Sequence, residues 1–304
     1  MTALSPAAGS FQIDATLGGG GHARRILEAA NPDGRLLGLD ADPTAIARSR
    51  TRLGAFGERA IVVQANFERI GPVAREHGFG QVDGILFDLG LSSYQLADAS
   101  RAFSFRAEGP LDMRFDPSRG VPASELVATL DEGALTDLFR RYGEEPQARR
   151  IARAIVAQRA DAAIETGTQL AALVERVAPG SPRGRRGLRR VHPATRVFQA
   201  LRIAVNHELE TLPAALEASL DLLKPDGRLV VISYHSLEDR IVKRFVAAER
   251  RGCVCPPELP VCVCGRNPRL APVGKQPWFP SEAEVASNPR ARSAKLRVAR
   301  RLAA

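Results

Sequence analysis

Four polar groups in this chain each follow directly on a short apolar run. Phe11-Gln-Ile-Asp14 ends in an acid, Arg35-Leu-Leu-Gly-Leu-Asp40 in a second and Gly84-Ile-Leu-Phe-Asp88 in a third, and Arg228-Leu-Val-Val-Ile-Ser233 runs into Tyr234-His235-Ser236. Apolar runs of this length, bounded by turn residues, read as buried strands. In an open α/β sheet, ligands bind beyond the carboxyl ends of the strands, so all four groups would face one cleft. Between the first two acids the sequence places glycine at 18, 19, 20 and 21, then His22. Four glycines let backbone approach a ligand with no Cβ in the way and permit positive φ. The pattern Ala23, Ile26, Leu27, Ala30 then predicts a helix whose N-terminus points at the same spot. Strand, glycine loop, helix, strand and acid make the nucleoside-binding half of a Rossmann-like sheet, with Asp40 placed to accept two ribose hydroxyls.

That half-site leaves the ligand open. Gly18-x-Gly20-x-x-Ala23 fits a loose dinucleotide fingerprint, and a glycine-rich turn with a helix cap would look the same. Asp14 narrows the choice: a carboxylate at the strand end repels a pyrophosphate and suits a cationic amino group. With Asp88-Leu-Gly-Leu-Ser-Ser93, it favours S-adenosylmethionine over a nicotinamide cofactor. Methyl transfer from a sulfonium is an in-line displacement, with the nucleophile held about 3 Å from the methyl. An exocyclic base amine is a poor nucleophile because its lone pair is delocalised into the ring. An acceptor on its N–H bonds would draw it towards a tetrahedral shape and take the proton. Asp88, Ser92 and Ser93 are the candidates, and Gly90 leaves room for a planar substrate. Each has a structural alternative: Asp88 as an N-cap or cofactor contact, Ser92 and Ser93 as helix caps. His22 is either a cofactor contact or a first-turn residue, and His235 either touches substrate or makes a buried hydrogen bond. His192 adjoins a basic stretch, whereas His77 and His207 read as surface residues.

The chain has 304 residues, 44% hydrophobic and 25% charged, ordinary for one large or two modest globular domains. No stretch is long and apolar enough to span a bilayer and no secretion signal is evident, which predicts a cytoplasmic protein. Net charge is +9, almost all of the base being arginine. Residues 183 to 202 carry arginine at 183, 185, 186, 189, 190, 196 and 202, with no acid. This is an electrostatic footprint for a phosphate backbone, centred on Arg185, Arg186, Arg189 and Arg190; the alternative is a solvated loop. All the cysteines lie together at 253, 255, 262 and 264. Two Cys-x-Cys pairs could give four thiolates to one structural zinc, though the usual knuckle has two residues inside each pair; the alternative is reduced thiols in a loop.

The periodicity predicts strands near 11–15, 35–40, 60–64 and 83–88, with helices near 22–30, 43–53 and 68–77. Residues 95–123 are irregular, and Phe103, Phe105 and Tyr94 there could wall a base pocket or fill a core. Four helices follow up to about 178, one capped by Ser124 and one by Thr168. A long helix from about 193 to 223, broken near Pro213, leads to a turn at 224–227, a strand at 228–233, a further helix and a final strand at 294–299. The expected fold is α/β, a doubly covered methyltransferase sheet (1–104 and 193–304) with an inserted all-helical substrate-recognition domain (105–192).

Taken together, the motifs resemble those of the bacterial 16S rRNA cytosine-N4 methyltransferase family, ribosomal RNA small subunit methyltransferase H. They are Asp14-Ala-Thr-Leu-Gly-Gly-Gly-Gly-His22, Asp40-Ala-Asp-Pro43, Asp88-Leu-Gly-Leu-Ser-Ser-Tyr-Gln95, Gly109-Pro-Leu-Asp-Met-Arg114, Tyr142-Gly-Glu-Glu145, His192-Pro-Ala-Thr-Arg196, Ser233-Tyr-His-Ser-Leu-Glu-Asp-Arg240 and Asn288-Pro-Arg-Ala-Arg292. The resemblance covers nearly the whole chain. It implies a class I methyltransferase fold, S-adenosylmethionine as cofactor and the small ribosomal subunit as partner, with no membrane or protein partner inferred. It implies a target at cytidine 1402 (standard rRNA numbering) near the P site. By motif, Gly20, Gly21, His22, Asp40, Phe67, Asp88 and Gln95 would contact the cofactor. Family members usually carry a further N-terminal segment with a His-x-Pro-Val-Leu-like stretch. Ala102 stands where the family usually has glycine, and Tyr234 where it usually has phenylalanine. Two rival readings are a nicotinamide oxidoreductase, separable by cofactor titration, and a non-catalytic RNA-binding protein, separable by a methyl-transfer assay.

Overall fold

The computed structural model describes the chain apart from residues 107, 179–191, 252, 257 and 304. Its first half runs β1 (Phe11–Asp14), α1 (Gly21–Ala29), β2 (Arg35–Asp40), α2 (Pro43–Leu53), β3 (Ala60–Gln64), α3 (Ile70–Glu76), β4 (Val82–Asp88), α4 (Ser93–Ala97), α5 (Ala123–Thr129), α6 (Glu132–Gly143) and α7 (Ala148–Asp161). Then come α8 (Gly167–Val177), α9 (Thr195–Asn206), α10 (Glu208–Leu222), β5 (Leu223–Ser233), α11 (Ser236–Arg251), β6 (Leu270–Pro272), α12 (Glu282–Ser287) and β7 (Lys295–Arg301). The chain forms two compact units, Met1–Gly90 with Leu209–Ala304, and Leu91–Glu208.

The first unit is built on one sheet of seven strands in the order β3-β2-β1-β4-β5-β7-β6. The first five are parallel, β7 is antiparallel to β5, and β6 is antiparallel to β7. The chain leaves β1 towards β2 on one side and returns with β4 on the other. The β1/β4 pair is therefore the topological switch point, where Rossmann-like sheets bind ligands. Alternate residues of each strand feed opposite faces. Leu37, Ile85, Phe87 and Val231 pack with Ile70 and Val73 of α3, Leu212 and Leu216 of α10, and Val242 of α11. Their neighbours Leu36, Leu86 and Val230 pack with Ile26 and Leu27 of α1 and Ile46 of α2. Both faces are covered, which is why these strands read as continuous apolar runs rather than alternating ones.

The second unit has its own core. Leu135 and Phe139 of α6, Ile151 and Ile155 of α7, Leu170 and Val174 of α8, and Val197, Phe198 and Leu201 of α9 bury together. Among its described residues are helices and turns but no strand. It is wider than the 105–192 span expected from sequence, because α9 buries its apolar stripe in this core.

Several local expectations need correction. The single long helix is two: His207 takes a left-handed conformation (φ 51°) and ends α9, while Pro213 lies inside α10. Ser124 is not a cap, since α5 starts a residue earlier, after Pro122. Thr166 rather than Thr168 caps α8, because only Thr166 has a glutamine three residues on, and Gln169 closes a capping box. The segment at 224–227 is an irregularity inside β5: Leu223 already pairs with Val82, and Asp226 bulges out at φ 66°.

Gly143 shows how tightly the helical unit is packed. A Cβ there would stand 2.6 Å from the backbone oxygen of Arg196 and 3.3 Å from Ala200 Cβ, so α6 meets α9 backbone to backbone. Gly143→Ala should destabilise the protein by about 1–3 kcal/mol, since a backbone oxygen cannot swing aside. Denaturant melts would measure it, and an unchanged midpoint would show that the helices separate freely.

Candidate functional site

The glycine loop is held by hydrogen bonds from both neighbouring strands. Beyond β1, Ala15 N donates to Leu86 O (2.8 Å) and Leu17 N to Leu39 O (2.8 Å), which continues the sheet pairing past the strand end. Thr16 Oγ1 accepts from Asp88 N at 2.6 Å. Gly18 N donates to Asp40 Oδ2 at 2.7 Å, and Ser49 Oγ donates to Gly18 O at 2.9 Å. Gly20 is the N-cap of α1 at φ 72°, a conformation that needs glycine, and a Cβ there would press on Ser49 Oγ at 3.1 Å. The glycines therefore set a fixed turn that brings backbone to the carboxyl end of β1.

Three carboxylates gather at that end. Asp14 is 1% exposed. Its Oδ1 accepts from Thr16 N at 3.2 Å, and its Oδ2 is buried with no hydrogen-bond partner. Burial, with added repulsion from Asp88 and Asp40, pushes its pKa up to about 7 against the opposing pull of His22. Asp40, at the end of β2, accepts from Gly18 N and, through Oδ1, from Asp42 N at 2.9 Å. Each carboxylate oxygen has two acceptor sites. Asp88, at the end of β4, is gripped from two sides. Tyr234 Oη donates to Oδ1 at 3.0 Å, and His22 Nε2 lies 3.5 Å from Oδ2. The hydrogen bond to Asp88 raises the pKa of His22 above the ordinary imidazole value, against partial burial. Burial first, then the Asp88 charge, raises that of Tyr234, which stays a phenol donor.

Phe67 follows β3 and is half-buried, edge-on to Phe87 with ring centroids 5.9 Å apart. It offers an apolar surface on the same end of the sheet as Asp40. Asp14, Gly20, Gly21, His22, Asp40, Phe67 and Asp88 thus all lie at the carboxyl ends of β1 to β4. Sequence reading placed Tyr234 in the group at the end of β5 but gave it no role; only its length, reaching back to Asp88, reveals one.

The other expected residues fall differently. His235 Nε2 approaches Glu238 Oε1 at 3.0 Å, off the line of a good hydrogen bond, and both side chains are largely buried. Glu238 also accepts from Tyr234 N at 3.1 Å, so it holds the start of α11. Ser92, Ser93 and Gln95 belong to the helical unit. Ser92 Oγ accepts from Gln95 N at 3.2 Å and Gln95 Oε1 from Ser92 N at 3.0 Å, a capping box at the start of α4. Ser93 is exposed in its first turn. Phe103 is buried against Phe115, and Phe105 stacks on His192 with centroids 4.0 Å apart, so both fill the helical core. Tyr94 is exposed. Arg185, Arg186, Arg189 and Arg190 lie outside the described residues. Of the same basic stretch, Arg202 makes a bidentate pair with buried Glu208 (2.7 and 2.9 Å), a structural use. Arg196 is exposed and donates to Glu144 O at 3.1 Å.

A buried carboxylate with an unsatisfied oxygen, on glycine-lined backbone at a switch point, fits a ligand bearing an ammonium group. An acid at the end of β2 and an aromatic face after β3 fit a ribose and a flat base. The sequence model of the MraW methylase family matches residues 1–302. Ribosomal RNA small subunit methyltransferase H of Thermomicrobium roseum is 56% identical over 303 residues, covering 100% of this chain and 91% of the relative. The protein of that name from Geobacter sulfurreducens is 52% identical, covering 98% and 95%. A solved putative rRNA methylase from Clostridium thermocellum aligns at 12% identity and TM-score 0.45, covering 99% of this chain and 92% of that one.

The His22–Asp88 pair gives a direct test of this geometry. In an NMR titration of the ligand-free protein, Asp88→Asn should lower the pKa of His22, since its largest supporting interaction is lost. An unchanged value would show that the two side chains do not meet in solution.

Proposed function

The chain belongs to the MraW methylase family of S-adenosylmethionine-dependent methyltransferases, and we propose that it methylates the N4 amine of a cytidine in small-subunit ribosomal RNA. The relatives' names support the RNA class, and the motif resemblance supports cytidine 1402 near the P site, which would put the reaction in the cytoplasm. No described helix is long and apolar enough to cross a membrane. The observation that carries the cofactor reading is Asp14, whose buried Oδ2 has no hydrogen-bond partner among the described residues. Bound S-adenosylmethionine supplies an electrophilic methyl on sulfur, and the rest of the chemistry falls to the chain's own groups.

Asp14 would take the amino group and Asp40 the ribose hydroxyls. Gly20 and Gly21 give close backbone approach, and Phe67 presents a flat apolar face to the base. His22 shares the loop and anchors Asp88 from one side. We assign Gln95 to the cofactor on its motif alone. Asp88 has the position and charge to accept an N–H of the incoming amine and to take its proton as the new bond forms. Tyr234 fixes one oxygen of Asp88 and so orients the carboxylate. Ser92, Ser93 and His235 remain candidates for substrate contacts, although Ser92 Oγ and His235 are engaged as a cap and as a partner of Glu238. A base in an A-form helix is hard to reach, so the cytosine would be presented unstacked. The stretch bearing Arg185, Arg186, Arg189 and Arg190 would bind the RNA backbone.

Incubation of the protein and cofactor with 16S rRNA or assembled small subunits, followed by nucleoside mass spectrometry, tests the proposal. We expect N4-methylcytidine from at least one substrate, with the rate falling about 10²–10⁴-fold in Asp88→Asn. Methylation at C5 of cytosine, or on another base, would overturn it.

A further inference from the structure

The loop between α11 and β6 has few ties among its described residues beyond its sulfur atoms: short turns at Cys253 and Leu259, and Arg266 on Glu249. Its base is closed by Arg269, which donates to Glu249 through both backbone (2.8 Å) and side chain (2.5 Å). Beyond that clamp, no described residue from 253 to 268 is buried. Val254, Leu259, Val261 and Val263 all face solvent, Val261 and Val263 being 70% and 77% exposed. Among the described residues from 253 to 264 the least exposed are three of the four cysteines, Cys253, Cys255 and Cys264. A loop of this length without secondary structure and without an apolar core needs a staple.

The four sulfurs supply one. All lie within 4.8 Å of one another. Cys253 and Cys262 are 3.5 Å apart, Cys262 and Cys264 3.5 Å, Cys253 and Cys264 3.8 Å, and Cys255 and Cys262 3.9 Å. A tetrahedron of thiolates around one zinc, with bonds of about 2.3 Å, has sulfur–sulfur edges of about 3.8 Å. Disulfides would need about 2.05 Å. The backbone adds a matching second layer. Val254, inside the first pair, donates its N–H to Cys264 at 3.5 Å, and Val263, inside the second, donates to Cys255 at 3.4 Å. Each pair thus supports a sulfur of the other, as amides do around metal-bound thiolates.

We propose that Cys253, Cys255, Cys262 and Cys264 bind one zinc ion in a closed tetrathiolate site that gives this loop its fold. The single residue inside each pair departs from the usual knuckle, but the reciprocal valine amides bring the sulfurs together all the same. The site is closed, with all four positions filled by sulfur, so its role is structural. It stands apart from the methyltransfer reading in residues and in test.

Elemental analysis of the untagged full chain, purified under reducing conditions, should find about one zinc per molecule. Cys262→Ser with Cys264→Ser should abolish the metal and speed protease cleavage between 253 and 264. Should that variant fail to fold, a mercurial titration of the wild type serves instead, with four thiols reacting for each zinc released. Four freely titrating thiols and no zinc after incubation with the ion would overturn the proposal, as would disulfides or bound iron.

Discussion

A carboxylate kept dry at the centre of the sheet is the constraint around which the ligand-binding end is organised. Asp14 stands at the switch point with one oxygen satisfied by Thr16 and the other by no hydrogen-bond partner among the described residues. Burying an unpaired carboxylate is costly, and its raised pKa is the measure of that cost. The neighbours make the position rigid instead of relieving it. Thr16 ties the end of β1 to Asp88, Leu17 ties it to β2, and Gly18 is anchored on Asp40. Strain of this kind gathers at functional positions. An ammonium group would satisfy both the charge and the orphaned acceptor.

Around this centre each acid is held by a different device. Asp40 is fixed by two backbone amides, which suits a residue that receives hydroxyls without moving. Asp88 is fixed by side chains, His22 and Tyr234, from two different elements. Such a carboxylate is held in one orientation by two separate parts of the fold. The helical unit is built on a continuous apolar core through α6 to α9, with buried polar ties such as Arg202–Glu208 beside it. The Cys-rich loop lies at the other extreme, with no core at all.

Strands and helices of the sheet unit were readable from sequence because burial on both faces writes them as apolar runs punctuated by glycine and acid. The site acids were readable for the same reason: a charge directly after such a run stands at a strand end. What escaped depends on geometry that spacing does not encode. His207 ends α9 through a left-handed turn that no glycine announces. Pro213 looked like a break and sits inside α10. Ser92 and Gln95 carry the spacing of a capping box and equally that of a catalytic hydroxyl and a cofactor-binding amide, and pattern alone cannot separate them. Tyr234 becomes informative only once β4 and β5 are paired and its hydroxyl meets Asp88.

The most direct test of this account is the pH dependence of S-adenosylmethionine affinity, measured by calorimetry. Burial pushes the pKa of Asp14 up to about 7, and the carboxyl must ionise to meet a cation. Affinity should therefore weaken by up to about tenfold per pH unit below 7. It should level off or decline above about 8, where an α-amino group loses its charge. Asp14→Asn should bind more weakly and without the acidic limb. Affinity that stays constant from pH 5.5 to 7.5 in the wild type, or an Asp14→Asn variant that keeps both the strength and the slope, would contradict the claim that this buried carboxylate receives the cofactor's charge.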